Sequence, residues 1–198
     1  MPRAVIAIGG NSLITDPTRT SVEDQYAAAR ETAHHIAKLV ASGWEVAIVH
    51  GNGPQVGYIL RRSEFAHTNL LLHKVPLDVC GADTQGAIGY ALQQNLQNDF
   101  RDLGLDQQVA TVVTQVVVDL HDPAMAQPTK PIGSFMDEKT ARQRRDTSGW
   151  VVKEDAGRGW RRVVPSPRPQ VIVEEPTIAR LMDAGTTVIA VGGGGIPV

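Results

Sequence analysis

The sequence predicts an α/β protein built on a mainly parallel central sheet, with a small subdomain protruding from it. Short continuous apolar runs recur at residues 4–8, 45–49 and 187–191, and each closes in a glycine cluster: Gly9-Gly10-Asn11, His50-Gly51-Asn52-Gly53 and Gly192-Gly193-Gly194-Gly195. Between the first two runs lies a long alanine-rich segment of helical composition. Continuous apolar strands separated by helices are the pattern of a sheet covered on both faces.

Ala4-Val5-Ile6-Ala7-Ile8 is a first strand, expected to be buried on both faces. Ser21 is suited to N-cap the helix that runs to Val40, with Glu23 and Asp24 near its positive end and Gly43 as a stop just beyond it. Residues 45–49 form a second strand, completing a β-loop-α-β unit whose preferred connection is right-handed. Residues 79–102 read as a helix carrying Gly81, Gly86 and Gly89. Each interior glycine costs roughly 1 kcal/mol against alanine, so a closely packed neighbour, a second subunit included, is expected to offset them. The β-branched residues 111–118 predict a strand.

From Asp119 to Gln170 the composition shifts to Pro, Gly, Arg, Trp and acidic residues without sustained periodicity, which marks a protruding insertion. It is expected to hold a short helix at 136–145 and a hairpin around 150–164. Sheet character returns at Val171-Ile172-Val173, followed by a helix at 177–183 and the strand at 187–191.

The chain has 198 residues, 42% hydrophobic and 20% charged, enough to bury a substantial core. A net charge of -2 and a pI near 6.3 give no general attraction to nucleic acid or to an anionic membrane. Cys80 is the single cysteine, so an internal disulfide is excluded and a reducing, cytoplasmic location is expected. The first strand begins too early for a signal peptide, and no run approaches the ~18 apolar residues of a membrane helix.

In a parallel sheet the three glycine clusters fall on one edge, where open α/β sheets bind ligands. Glycine lets backbone N–H groups approach an anion, a following helix N-terminus adds its dipole, and Asn11 and Asn52 add side-chain donors. Taken singly, each cluster reads equally well as a tight turn. There is no G-x-x-x-x-G-K-[ST], and Gly51-x-Gly53-x-x-x-Gly57 misses the dinucleotide spacing by one residue. Lys130, in Pro128-Thr129-Lys130-Pro131-Ile132-Gly133, is a cation on a stiff, extended backbone. It suits neutralisation of a phosphoryl group, against the alternative of a solvated loop lysine.

Several strings resemble carbamate kinases of the amino acid kinase superfamily. They include Ala7-Ile8-Gly9-Gly10-Asn11-Ser12-Leu13, His50-Gly51-Asn52-Gly53-Pro54-Gln55-Val56-Gly57, Pro76-Leu77-Asp78-Val79-Cys80-Gly81-Ala82-Asp83-Thr84-Gln85-Gly86 and Pro128-Thr129-Lys130-Pro131-Ile132-Gly133. Further matches are Thr114-Gln115-Val116-Val117-Val118-Asp119, Asp122-Pro123-Ala124, residues 154–164 and residues 192–197, in order along essentially the whole chain. The resemblance implies a three-layer αβα sandwich, a homodimer, and phosphoryl transfer between ATP and carbamate to give ADP and carbamoyl phosphate. It further implies that Gly9, Gly10, Asn11, Gly51, Asn52 and Gly53 hold the carbamoyl phosphate end, while Lys130 reaches in from the subdomain at 120–170. Mg²⁺ travels with the nucleotide, and no residue is nominated as a metal ligand. Many superfamily relatives carry a catalytic lysine two residues before Gly9, where this chain has Ala7; carbamate kinases share that difference. The family continues past the Gly192–Gly195 cluster into its nucleotide-binding part, so residues 1–198 are expected to be the carbamate- and phosphate-binding part. A non-catalytic anion-binding or dimerisation module and another acid kinase of the superfamily are the competing readings.

Cys80, in an apolar context without a partner, reads as structural. His34 and His35 point to different helix faces and cannot share a metal, whereas His50, ending a strand beside a glycine cluster, is suited either to orient that loop or to fill the core. Arg158, Arg161, Arg162 and Arg168 with Trp150 and Trp160 are expected to stack within the subdomain rather than bind nucleic acid.

Overall fold

A computed structural model of the chain describes residues 1–9, 13, 14 and 20–198. In order, its elements are β1 (Arg3–Ile8), α1 (Val22–Ala41), β2 (Glu45–His50), α2 (Gln55–Leu70), α3 (Leu77–Asp102), β3 (Val109–Thr111) and β4 (Gln115–Val118). There follow α4 (Pro123–Ala126), β5 (Lys130–Met136), α5 (Glu138–Ser148), β6 (Val151–Glu154), β7 (Trp160–Val164), β8 (Pro169–Ile172), α6 (Glu175–Asp183), β9 (Thr187–Ala190) and β10 (Ile196–Pro197).

The central sheet has the order β1-β2-β9-β3 and is parallel throughout. One row of side chains, Ile6–Ile48–Ile189–Thr111, crosses it in register. Helices α1 and α3 cover the face that presents Ile8, Val46, Ile48 and Ile189, and α6 packs on β9 and β2 from the other side, which gives the three layers. As expected, the Ser21 hydroxyl accepts the Asp24 N–H at the start of α1, and Gly43 adopts φ +92 beyond its end.

β1 departs from expectation, since Val5 is 72% exposed and Ala7 is also exposed. It is an edge strand, and the helix on that face lies over β2 and β9. The strand expected at 111–118 is two strands in different sheets. Between them Thr114 is fully buried, donating its N–H to Gln85 Oε1 (2.7 Å) and its hydroxyl to the Val112 carbonyl (2.7 Å), so side-chain bonds replace ladder bonds while the chain changes sheet. Of the three glycines in α3, Gly89 meets its expected neighbour: a Cβ there would stand 2.2 Å from Thr111 Cγ2. Gly86 faces open space.

The insertion is an antiparallel sheet, β5-β7-β6, covered by α5. The β6–β7 hairpin was expected. The helix begins two residues later than predicted, because Met136 closes β5 and Asp137 caps α5 by accepting the Thr140 N–H. Arg144 and Arg162 stack on Trp150, and Arg158 and Arg161 on Phe135. A small core of Leu60, Cys80 and Ile132 joins the insertion to α2 and α3. There Gly57 and Gly133 let two backbones cross; a Cβ on Gly57 would lie 3.1 Å from Gly133 Cα. No described helix is long and apolar enough to cross a membrane.

Candidate active site

Because β1, β2 and β9 run parallel side by side, their C-terminal ends meet on one edge of the sheet, as the sequence pattern required. Gly9 is exposed just past Ile8, and the Ile8 carbonyl accepts the Gly51 N–H at 2.8 Å, which ties the first two ends together. Gly10 and Asn11, both nominated from sequence, lie outside the described residues. The Asn52 carbonyl accepts the Val56 N–H at the start of α2, while its Nδ2 donates to Thr84 Oγ1 at 3.1 Å. Gly53 is exposed beside it.

After β9 the chain makes a tight turn through Val191 (φ +53), Gly193 (φ +66), Gly194 (φ +94) and Gly195 (φ +84). Left-handed backbone explains the glycines, and so does crowding: a Cβ on Gly193 would lie 2.4 Å from Asn52 Nδ2, and one on Gly192 2.6 Å from the His50 ring. The second and third clusters are therefore in contact.

Beside this turn opens a cleft of about 480 Å³, lined by Asn52, Gly192–Gly195 and Lys130, with Val116 and Ile196 on its floor and residues 164–167 on its wall. Lys130 opens β5 opposite Val164 and makes no ion pair with a described residue. Lys130 and Asn52, both nominated from sequence, line one cavity. Gly9, Gly51 and Gly53 stand behind or beside Asn52 rather than on the cavity wall.

His50 is 4% exposed and bonds the Gly51 carbonyl at 2.9 Å. A carbonyl can only accept, so Nδ1 carries the proton. Burial lowers the ring's pKa below its ordinary value, with the Gly51 bond opposing in part. The ring is therefore neutral and both fills the core and orients the loop. Burial pushes the Cys80 thiol up, and its Sγ lies 3.8 Å from the Val75 carbonyl, so it belongs to packing. His34 and His35 are exposed.

Asp78, Gly81, Thr84, Gln85 and Thr114 were not assigned roles from sequence. Four of them lie in the first half of α3, where the i, i+3, i+7 spacing of Asp78, Gly81 and Gln85 puts them on one helix face, Asp78 and Gly81 lining the cleft and Gln85 buried behind it. That spacing was the available signal.

The amino acid kinase family model matches residues 2–198. The chain is 51% identical over 196 residues to a carbamate kinase of Pyrococcus horikoshii, covering 99% of this chain and 62% of that one. It is 48% identical over 200 residues to a carbamate kinase of Clostridium perfringens, covering 99% and 63%. Its structure resembles that of a Giardia lamblia carbamate kinase bound to AMP-PNP, with a TM-score of 0.89, 40% identity, and coverage of 99% of this chain and 62% of the other. The chain thus spans less than two thirds of the length of these relatives.

Proposed function

The chain belongs to the amino acid kinase family, and on that premise we propose that it forms the carbamate- and phosphate-binding part of a carbamate kinase. The reaction is reversible phosphoryl transfer between ATP and carbamate, giving ADP and carbamoyl phosphate. The observation that carries this reading is the cleft in which Lys130 stands across from Asn52 and the Gly192–Gly195 turn.

In the forward direction a carbamate oxygen attacks the γ-phosphorus and the bond to the ADP oxygen breaks. No proton transfer and no covalent enzyme intermediate are needed, so the protein contributes position and charge. Asn52 and the glycine clusters, Gly9, Gly10, Asn11, Gly51 and Gly53 included, shape the pocket for the carbamoyl phosphate end. Asn52 donates, and the N-terminus of the 16-residue helix α2 adds a favourable dipole. Lys130 sits at the neck of the insertion and offsets charge on the phosphoryl oxygens as it is transferred.

On this reading Mg²⁺ would come bound to the nucleotide phosphates and would offset their charge. Among the described residues no group of three or more His, Cys, Asp or Glu is arranged to hold a metal, and Asp78 is the one carboxylate lining the cleft, so these residues do not fit a resident metal cage. The base and ribose of ATP are held, on this reading, by residues equivalent to the remaining length of the relatives. The protein is further read as cytoplasmic and as a homodimer, the exposed apolar residues Phe65, Leu70, Leu71 and Leu72 of α2 and its end supporting the second.

Two measurements test the reading. Incubation with ADP, Mg²⁺ and carbamoyl phosphate is expected to yield ATP from a protein extended by the relatives' remaining portion; no ATP from a folded sample would sink it. In that protein Lys130→Ala is expected to lower kcat by at least about 100-fold with the circular dichroism unchanged. Unchanged kinetics would return Lys130 to an ordinary solvated lysine.

A further inference from the structure

Two bonds of its own close the glycine turn beside the cleft, Gly194 N–H to the Val191 carbonyl (3.0 Å) and Gly195 N–H to the Gly192 carbonyl (3.1 Å), but neither fixes where it sits. Gly192 to Gly195 are the residues with most backbone freedom to lose. What anchors the turn to the fold lies behind the cleft, in α3. Gln85 is 1% exposed, and its Nε2 donates to two carbonyls, Gly192 (2.9 Å) and Thr114 (3.1 Å), while its Oε1 accepts the Thr114 N–H (2.7 Å). Thr114, with 0% exposure, passes the hold on: its Oγ1 accepts the Val191 N–H (3.0 Å), and its carbonyl also accepts the Ile196 N–H (2.9 Å). The turn is thus gripped at Val191, Gly192 and Ile196.

We infer that Gln85 is a positioning residue of the cleft, acting through Thr114 and the Gly192 carbonyl to set the turn that faces Lys130. Chemistry selects the side chain. A primary amide supplies two donors and an acceptor in one plane; methionine of similar length supplies none, and a carboxylate cannot donate. A buried amide also costs free energy unless all its groups are bonded, and here both ends are. The inference rests on the proposed function only for what enters the cleft, not for the shape of the turn.

The test uses Gln85→Met, Gln85→Glu and Thr114→Val in the 198-residue chain, read by ¹⁵N-edited amide spectra and by titration with inorganic phosphate. In Gln85→Met the α1 and β1 amides stay in place, those of Thr114 and Gly192–Gly195 shift or broaden, and phosphate binds roughly tenfold more weakly, the worth of about one well-placed hydrogen bond. In Gln85→Glu the turn amides move at neutral pH and return toward wild type as the introduced carboxyl takes up a proton and regains a donor, a reversal that mere space filling does not predict. Turn amides that stay in place in Gln85→Met, or phosphate affinity within about twofold of wild type, overturn the inference. If neither Gln85 variant folds, Thr114→Val decides, since it keeps all three Gln85 bonds and, within the turn, releases Val191, the Val112 carbonyl before β4 being freed with it; unmoved Val191 and Gly192 amides then overturn it. A wild-type chain that takes no phosphate counts against the proposed function alone, and the amide spectra still decide the role of Gln85.

Discussion

Replacing Gly89 with alanine sets two effects of opposite sign against each other. Alanine in the middle of α3 favours the helix by about 1 kcal/mol. The new methyl, however, lands 2.2 Å from Thr111 Cγ2 and 2.9 Å from its Oγ1, inside any tolerable contact. β3 is poorly placed to retreat, because the Thr111 N–H is held by Gln93 Oε1 (2.9 Å) and the Val109 N–H by Gln97 Oε1 (3.1 Å), both from α3. Overpacking of this kind costs roughly 2–3 kcal/mol, so Gly89→Ala is expected to lose about 1–2 kcal/mol net. Thr111→Ala removes the two clashing atoms, and its hydroxyl is buried without a hydrogen-bond partner, so no bond is broken by removing it. In that background only the helix preference remains, so Gly89→Ala should stabilise by about 1 kcal/mol, a coupling of about 2–3 kcal/mol between the sites. Urea unfolding of the four proteins, with constant m-values, measures it. A Gly89→Ala protein more stable than wild type, or an equal loss in both backgrounds, would refute the close-packing account of this glycine.

His50 predicts a pH dependence. Burial holds its folded pKa below 6.5, so below pH 6.5 the unfolded chain binds a proton that the folded one refuses. Its contribution is full above that pH and is lost as pH falls toward the folded pKa, at no more than about 1.4 kcal/mol per pH unit. The stability of His50→Gln should fall less steeply than wild type between pH 6.5 and 5; equal slopes would exclude His50 as the titrating group. Gly193→Ala puts a methyl 2.4 Å from Asn52 Nδ2 at φ +66. It is expected to displace Asn52 from Thr84 and weaken phosphate binding about tenfold, for a stability loss of roughly 1–2 kcal/mol. Unaltered phosphate titration would detach Asn52 from the site.

Much of this architecture is legible locally. Ser21 with Glu23 and Asp24 marks a helix start through bonds made within one turn, and apolar runs ending in glycine mark parallel strands, because both signals depend on near neighbours. What sequence does not disclose depends on distant partners. The exposure of Val5 follows from which strands α6 covers, and the break of residues 111–118 into β3 and β4 follows from Gln85 reaching Thr114 across the fold. The helix α2 was missed, its polar residues Arg61, Arg62 and Glu64 being interrupted by too little regular apolar spacing to advertise it. Lys130 and Asn52 were nominated from loop chemistry and family likeness, whereas Gln85 and Thr114 carry no motif meaning until the turn they hold is seen.

β9 lies between β2 and β3 although it is the last of the four strands to leave the ribosome. Until residues 187–190 emerge, β2 is paired on one side only and β3 on neither, both with their backbone groups open to strangers. Contact between Asn52 and Gly193 arises in the same event. Entry of one four-residue strand therefore completes the pairing of β2, gives β3 its partner and carries the glycine turn to the cleft, so the interval before it leaves more strand edge open to aggregation than any later one.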